Sequence, residues 1–270
     1  VYNPQTGLFR GESSFIDWRE QSYPVWAQPA DIYMSECLGT NAAYYGVLKV
    51  MEDMATVLGK KKDVKKYGQK AEALKKAIND NFWVEEDGYY ASYLYGRQNL
   101  TRTQQSETLG ESFCVLFGIA DEERAAKVIS SMPVGEFGPP IFSPQIVSQP
   151  DYHNNGVWPY VTSFWGKAAA KAGNETALMH ALACNVRTAS LYATNYENYS
   201  FNTGNPYTTL INSPNMLWGL SGFMGLFHRT FFGLEFTQEG LAMKPFVPTV
   251  LAGTRKLEAF PYRGMQLDIT

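Results

Sequence analysis

The chain has 270 residues, 45% of them hydrophobic, which is enough to bury one large core. Its formal net charge is −3 and no run of basic residues is interleaved with aromatic ones, so nucleic acid is not an expected partner. The longest apolar stretches are shorter than the roughly 20 residues that span a bilayer, so no membrane partner is expected either.

Cysteine and histidine are scarce and scattered. The three cysteines lie in separate apolar helical patterns, and the three histidines lack the HxxxH or CxxC spacing of metal sites. We therefore expect no disulfide, no metal and no cofactor. Aromatic residues are abundant, at 14%, and Tyr and Trp rings suit surfaces that are half apolar and half wet, as sugar faces are.

Apolar residues recur every three or four positions in seven segments, which predicts seven α-helices. We expect these helices at 31–58, 62–82, 106–119, 121–132, 160–173, 174–191 and 214–230. The first helix should end at Gly59, lysines form a solvated face on the second, and Pro214 opens the last after a cap at Asn212 or Ser213. Residues 82–96 resemble a two-stranded excursion.

Short charged turns join these helices in pairs, so the sequence predicts antiparallel helical hairpins. Hairpins of this kind build a bundle, a solenoid or a closed ring, and without a fixed repeat a regular solenoid is disfavoured. From about residue 232 the pattern changes to alternating segments punctuated by Gly and Pro, which predicts a β-element. The expected division is a helical catalytic domain at 1–231 and the start of a C-terminal β-element at 232–270.

Both ends of the sequence look cut. Residue 1 is Val1, and the last residues, FPYRGMQLDIT, alternate like a strand that stops before a partner arrives. We expect a piece of a longer protein, whose missing N-terminal part would be a partner of this segment.

The connections between hairpins are long and rich in Trp, Tyr, Asn, His and Pro, at 1–30, 84–104, 133–159 and 195–213. If the hairpins pack side by side, all these connections emerge at one end. Function is expected there, because binding and catalytic residues concentrate on loops that a rigid scaffold positions.

Two loop carboxylates differ in their surroundings. Asp17 lies between apolar residues and the indole of Trp18, which would raise its pKa and suit a general acid. Glu197 is flanked by Tyr196 and Asn198, a polar setting that favours the ionised form and suits a general base. Glycosidic hydrolysis requires such a pair, although a single loop carboxylate is more often a cap or turn residue.

A third segment, PDYHNNGVWPYVTSFWG at 150–166, could read a sugar. His153 and Asn155 offer groups for hydroxyls, and the indole of Trp158 could stack on a pyranose face. The alternatives are that Trp158 is a core residue and Asn155 a helix cap. Glu107 and Glu111 open a helix, where a carboxylate favours the dipole without any further role, and Glu107 is kept as an outside candidate.

Three motifs resemble those of glycogen-debranching and glycoside hydrolase family 63 enzymes. They are SSFIDWREQ with its following long helix, YHNNGVWPY, and YENYSFNTGNP with the Trp helix and Gly-Leu, Pro ending after it. The resemblance covers nearly the whole chain. It implies an all-α fold, a six-hairpin (α/α)6 toroid of which about three and a half hairpins are present, so that a large apolar flank would be exposed.

The same resemblance implies an inverting glycosidase that hydrolyses oligosaccharides, with Asp17 as general acid and Glu197 as the base that activates water. Inversion would place their carboxyl groups roughly 6.5–9.5 Å apart. Trp follows the acid here where relatives have it before, and Arg19 and Glu20 have no firm counterpart. The expected substrate-binding residues are Trp18, Arg19, Glu20, Trp26, Glu107, His153, Asn155, Trp158, Tyr196 and Trp218.

Two other functions stay open on the sequence. A glycoside phosphorylase would use the same ring and acid with phosphate in place of water, and a functional Glu197 argues against it. A carbohydrate-binding relative would have lost catalysis. Exo action is inferred from the long loops, which would wall off one side of the cavity, while the sugar, linkage and anomer are not specified.

Overall fold

The structure, a computed structural model, describes residues 1–12, 23–147 and 149–270. Helices within these ranges are α1 Pro29–Met34, α2 Leu38–Val57, α3 Lys61–Phe82, α4 Thr108–Leu116, α5 Glu122–Ser131, α6 Pro159–Lys171, α7 Glu175–Tyr192 and α8 Leu217–Leu226, with a π-helical turn at Phe227–Phe231 and a 3₁₀ turn at Thr249–Leu251. Helices α2 and α3 form one hairpin and α6 and α7 another, while α5 follows α4 after a short turn. Two of the three predicted hairpins are therefore present, and α4 and α5 lie where the third was predicted.

Four helices form a central row, in which α2 packs on α4, α4 on α6 and α6 on α8. Their N-terminal ends lie together. Gly39 in the first turn of α2 is against the Glu107 side chain, and Gly219 in the first turn of α8 is against Pro159. The rings of Phe113 and Phe164, each six residues into its helix, lie 5.4 Å apart. The helices of the central row are therefore parallel.

Short antiparallel strands link the loops at this end. They are β1 Tyr2–Asn3, β2 Leu8–Phe9, β3 Glu36–Cys37, β4 Trp83–Val84, β5 Tyr89–Tyr90, β6 Tyr93–Tyr95, β7 Thr101–Arg102, β8 Ser106–Glu107, β9 Phe142–Ser143, β10 Gly156–Val157 and β11 Tyr199–Ser200. Strands β3, β6 and β7 form a three-stranded sheet, and the others pair as β1–β2, β4–β5, β8–β9 and β10–β11. The β4–β5 pair and β6 lie within the excursion predicted at 82–96.

The core lies between the central row and the outer helices. Helix α3 contributes one face to this core, because its buried residues recur at helical spacing. Its lysines lie on the exposed or half-buried side, as the sequence predicts. Asp121 caps α5 through the N–H of Arg124, and Asn174 caps α7 through the N–H of Ala177, both at 2.9 Å. The three cysteines are free and buried, consistent with small core residues. No helix of the described ranges has the length and hydrophobicity to cross a membrane.

The helix predicted at 31–58 is wrong as a single element. It is interrupted at Ser35, whose backbone is extended, and β3 follows before α2 begins at Leu38. The Ser35 hydroxyl donates to the Ile32 carbonyl at 2.6 Å, and the Leu38 N–H donates to the Ser92 carbonyl at 2.8 Å. A partner distant in sequence therefore replaces the helical hydrogen bond, which periodicity cannot show.

The start of the last helix was also predicted wrongly. Helix α8 begins at Leu217, with Met216 rather than Asn212 or Ser213 as its N-cap, so Pro214 lies outside it. Asn215 has a φ of 60°, a left-handed conformation that a right-handed helix cannot contain.

The β-element predicted from about 232 is present as two hairpins. Strand β12 Leu234–Phe236 pairs with β13 Leu241–Met243, and β14 Leu257–Tyr262 pairs with β15 Met265–Ile269. The prediction that the last residues lack a partner strand is wrong, because Arg263 and Gly264, both with positive φ, turn the chain back on itself. A Gly in such a tight turn is typical of short hairpins.

The helices at the two ends of the central row expose apolar side chains, as the predicted apolar flank requires. On α2 the exposed apolar residues recur every three or four positions. On α8 the most exposed of them is Leu217, at 76%. The exposed residues are Tyr44, Val47, Val50, Met54 and Val57 on α2, and Leu217, Trp218, Leu220 and Met224 on α8. We call these two surfaces the α2 edge and the α8 edge.

Candidate active site

The candidate site lies at the N-terminal end of the central row, where the long connections converge. The N-cap residues of the four helices are Cys37, Glu107, Trp158 and Met216. Strand β10, just before α6, pairs with β11, just after Glu197, in the register Val157 to Tyr199. This pairing brings the third predicted segment beside the predicted base.

Glu197 is a buried carboxylate, 8% exposed, on a fixed loop. Its backbone N–H donates to the Ser213 carbonyl at 2.9 Å. The Tyr152 hydroxyl donates to Oε1 of Glu197 at 3.3 Å, and this bond favours one orientation of the carboxylate. A buried carboxylate with a directed donor is suited to act on a water or a sugar hydroxyl.

Two asparagines hold the loop that carries Glu197. The Asn212 amide donates to the carbonyls of Asn198 and Pro206, both at 2.8 Å. The Asn198 amide donates in return to the Ile211 carbonyl at 3.1 Å. Side-chain bonds to the backbone on both sides restrict the conformations of the loop, which is how a catalytic group is kept in one position.

An aromatic wall borders this loop. Trp158 contacts Tyr152 edge-on at 5.2 Å and Trp218 at 5.7 Å, and its indole N–H donates to the Tyr152 carbonyl at 3.1 Å. Trp158 is only 1% exposed, which fits the alternative that it is a core residue better than a role in stacking on a sugar ring. Trp218 is 41% exposed and stacks on Tyr160 at 4.9 Å, which makes it the accessible indole of the wall.

His153 and Asn155 both lie in this wall segment. His153 is buried, with its ring 5.1 Å from that of Trp158. Asn155 is not a helix cap, since Trp158 occupies that position, and it has a left-handed φ of 50°. Its N–H donates to the Gln145 side chain, and its carbonyl accepts from the Phe201 N–H at 2.7 Å. Asn155 therefore joins the two halves of the site through its backbone.

Glu107 lies between the first turns of two helices. A Cβ on Gly39 would be 3.1 Å from its Oε2, and one on Gly110 2.9 Å, so only glycine leaves room for the carboxylate. Within the described ranges neither oxygen makes a hydrogen bond of ordinary geometry. Burial raises the pKa of Glu107 to about 7, although the N–H groups of Gly110 and Gly39 oppose the rise.

Tyr160 lies within electrostatic range of both Glu107 and Glu197. Burial is the main cause of the raised pKa of the Tyr160 phenol, and the charges of Glu107 and then Glu197 add to it. Both carboxylates are therefore close enough to the phenol to act on it electrostatically. Glu107, an outside candidate on the sequence, belongs to the surroundings of this site.

Two predicted residues lie farther along the same face. Trp26 is 54% exposed, with its ring 5.4 Å from that of Tyr95, and both line an open cavity of about 510 Å³ that also includes Ile146. Tyr196, next to Glu197, donates from its hydroxyl to the Tyr207 hydroxyl at 3.2 Å. Asp17, Trp18, Arg19 and Glu20 lie outside the described residues, so their place in the site remains a prediction.

Three residues of this region were not singled out from the sequence. Tyr152 and Tyr160 lie within the predicted segment 150–166, on either side of the His-Asn-Asn cluster, and this position could have pointed to them. Glu36 is fully buried, with Oε1 accepting from Asn3 at 2.6 Å and from Arg10 at 3.4 Å. The sequence did not point to Glu36, because a continuous helix was predicted over 31–58 and Glu36 lies within that range.

The site thus combines a parallel row of helices with buried carboxylates at the loop end of that row. Residues 18–215 match the family described as the mannosylglycerate hydrolase MGH1-like glycoside hydrolase domain. The chain belongs to this family, and the resemblance to six-hairpin glycosidases is confirmed. No curated protein sequence matches the chain.

Two solved structures are similar in fold. Neutral trehalase Nth1 from Saccharomyces cerevisiae has a TM-score of 0.57 and 14% identity over 72% of this chain and 38% of its own. A GH78 family rhamnosidase of Bacillus sp. GL1 has a TM-score of 0.59 and 23% identity over 86% of this chain and 22% of its own. At these identities the similarity shows the fold alone, and the chain spans well under half of each.

Proposed function

We propose that this chain carries the catalytic part of an inverting, exo-acting α-glycosidase that hydrolyses oligosaccharides. The observation that carries the proposal is Glu197, a buried carboxylate on a braced loop, beside an aromatic wall, in a chain of a glycoside hydrolase family. The accessible Trp218 indole offers a platform for the apolar face of a sugar ring.

In the proposed reaction Glu197 accepts a proton from a water molecule, whose oxygen attacks the anomeric carbon. Asp17 donates a proton to the leaving oxygen as the glycosidic bond breaks. The hydrogen bond from Tyr152 holds Oε1 of Glu197 in one direction, so that the carboxylate meets the water in a productive orientation. Such a pair inverts the configuration when a water fits between the two acids.

The proposal includes a closed six-hairpin ring in the intact protein. The α2 edge and the α8 edge expose apolar side chains at the two ends of the central row. Surfaces of this kind are normally buried against another element. Further hairpins of the same protein would cover them, with 1–231 as part of the ring and 232–270 as the start of the C-terminal β-element.

The proposal is tested by supplying the protein with α-gluco, α-manno, α-galacto and rhamno oligosaccharides and following the first anomer released by NMR. Inverted product is expected. A retained configuration contradicts the mechanism, and release that requires phosphate identifies a phosphorylase instead.

Glu197→Gln should lower turnover by at least about 10³-fold with substrate binding preserved, since it removes the base and keeps the shape. Glu239→Gln, an exposed acid in the β12–β13 turn, is the matched control and should leave turnover unchanged. No turnover by the wild-type protein on any substrate, with binding intact, identifies a carbohydrate-binding relative.

A further inference from the structure

A second cavity, of about 460 Å³, lies at the opposite end of the central row from Glu197. Its walls are the last turns of α4 and α6, the π-helical turn and the β12–β13 hairpin. The charged residues that line it are Lys167, Lys171, Arg229, Lys244 and one acid, Glu235. The cavity is therefore strongly cationic in a chain whose net charge is −3. Helix α6, with 13 residues, separates the two ends by about 20 Å.

Two of the four cations have evident structural roles. Lys171 donates to the Leu116 carbonyl at 2.7 Å, where a cation offsets the partial negative charge at the end of α4. Lys244 pairs with Glu235 at 2.9 Å. These two residues need no ligand to explain them.

Lys167 differs from both, since among the described residues it makes no hydrogen bond or ion pair. Its ammonium is half-buried, lies 4.9 Å from the centre of the Phe164 ring, and has no carboxylate within 4 Å among the described residues. A Cβ on Gly225 would be only 2.9 Å from Nζ, so the glycine leaves space for the ammonium. Burial and then the Arg229 charge lower the pKa of Lys167. A partly buried cation beside another cation is costly unless an anion joins them.

Arg229 faces the same cavity from the π-helical turn, a type of helix that is frequent at functional sites. Its guanidinium lies 4.7 Å from the centre of the Phe236 ring and donates to the Leu234 carbonyl at 2.8 Å. Like Lys167, it has no carboxylate within 4 Å in the described part of the chain. The Phe236 ring and the Leu234 carbonyl hold the guanidinium in one orientation, and its other N–H groups can donate to a ligand.

We propose that this cavity is a binding site for a phosphate or sulfate group, held between Lys167 and Arg229. The guanidinium fork suits a tetrahedral oxyanion, and the ammonium adds a point charge from the other side. The anion neutralises the two like charges and lies in the open cavity in front of them. The site is distinct from the proposed active site and does not depend on it.

The test uses inorganic phosphate and sulfate as probes. Thermal unfolding and calorimetric titration are recorded with each anion against sodium chloride at matched ionic strength. Phosphate or sulfate should raise the melting temperature where chloride does not. Equal effects of chloride mean general screening of charge, which overturns the proposal.

The variants are Lys167→Met, which keeps an apolar stem without the charge, and Arg229→Gln. Each should raise the dissociation constant for phosphate at least tenfold, and Lys167→Met should also raise the melting temperature in the absence of the anion. Lys70→Met, an exposed lysine on α3, is the control and should bind like wild type.

If Arg229→Gln fails to fold, the result for Lys167→Met alone decides the test. Unchanged phosphate binding in Lys167→Met overturns the proposal, as does loss of binding in Glu197→Gln, which would place the anion in the other site.

Discussion

The Tyr152 hydroxyl donates a 3.3 Å hydrogen bond to Oε1 of Glu197, and this bond joins two connections that are 45 residues apart in the chain. Both residues are buried, so the bond operates away from solvent. It ties the segment before α6 to the loop before α8. The orientation of Glu197 therefore depends on a residue from the connection on the other side of the α6–α7 hairpin.

Tyr152→Phe should lower kcat about 10- to 100-fold and leave the substrate affinity nearly unchanged, because the carboxylate keeps its charge and loses its directed donor. Steady-state kinetics on the best substrate measures both. Tyr67→Phe, on the half-buried face of α3, is the control. Equal kcat in wild type and Tyr152→Phe would show that the bond does not orient the base.

Glu107 should make the stability of the fold depend on pH. Burial raises its pKa from 4.5 to about 7, so the folded state binds one proton more than the unfolded state between these values. Stability should therefore fall as pH rises from about 4.5 to 7, by about 3 kcal/mol for this group. The loss is complete above pH 7 and is regained on acidification.

Glu107→Gln tests this dependence, since the amide keeps the shape and cannot ionise. Urea unfolding at several pH values should show a variant more stable than wild type at pH 8 and similar to it near pH 4.5. The titratable groups close to Glu107 are Glu111 and Cys114 on α4, Cys37 on β3 and Tyr160 on α6, and all four are present in both proteins. Burial raises the pKa of the two thiols and of the phenol, so these three groups are neutral at the pH values of the test. Glu86→Gln, in an exposed turn, is the control. Parallel stability curves for Glu107→Gln and wild type would contradict the prediction.

The sequence was sufficient wherever local periodicity decides the structure. Helix α3 agrees with its prediction to within a residue because its buried positions recur at helical spacing and its lysines stay outside. The break at Ser35 was missed because the hydrogen bonds that replace the helix come from Ser92, far along the chain. Propensity describes a segment by itself and cannot show such a partner.

The candidate site shows the same limit. The third predicted segment and Glu197 do lie together, as the convergence of the long connections predicts, through the pairing of β10 with β11. The sequence could not predict which indole ring is accessible. Trp158 and Trp218 both follow polar loops, yet Trp158 lies in the core and Trp218 is open to solvent. The roles of Asp17 and Glu197 stay predictions of the sequence and the resemblance.

Asn212 should be more important for the site than its distance from the chemistry implies. Its amide holds the carbonyls of Asn198 and Pro206, and its Oδ1 accepts from the Ser213 N–H at 3.0 Å. Asn212→Ala removes these bonds at once and should lower stability by about 1–2 kcal/mol. The loop would also become more mobile, so kcat should fall about tenfold or more.

Denaturant unfolding and kinetics together check the Asn212 prediction. Asn205→Ala is a suitable comparison, because within the described residues its side chain makes a single hydrogen bond, accepting from the Tyr207 N–H at 2.8 Å in the same loop. Its effect on kcat should be smaller. A variant Asn212→Ala with full activity would mean that the loop keeps its shape without this residue.

The α2 edge and the α8 edge should make this 270-residue chain associate when it is produced alone. Contiguous exposed apolar surface is rare on stable monomers, and the α2 edge consists of a tyrosine, three valines and a methionine on one helix face. Light scattering after size-exclusion chromatography should show a mass that rises with protein concentration.

Val47→Glu with Met54→Glu should reduce the association several-fold, because each charge would have to be desolvated in the contact. The matched change Lys66→Glu, with Lys70→Glu, on the exposed face of α3 should leave the association unchanged. A chain that stays monomeric at every concentration, without binding a hydrophobic dye, would count against the proposed ring.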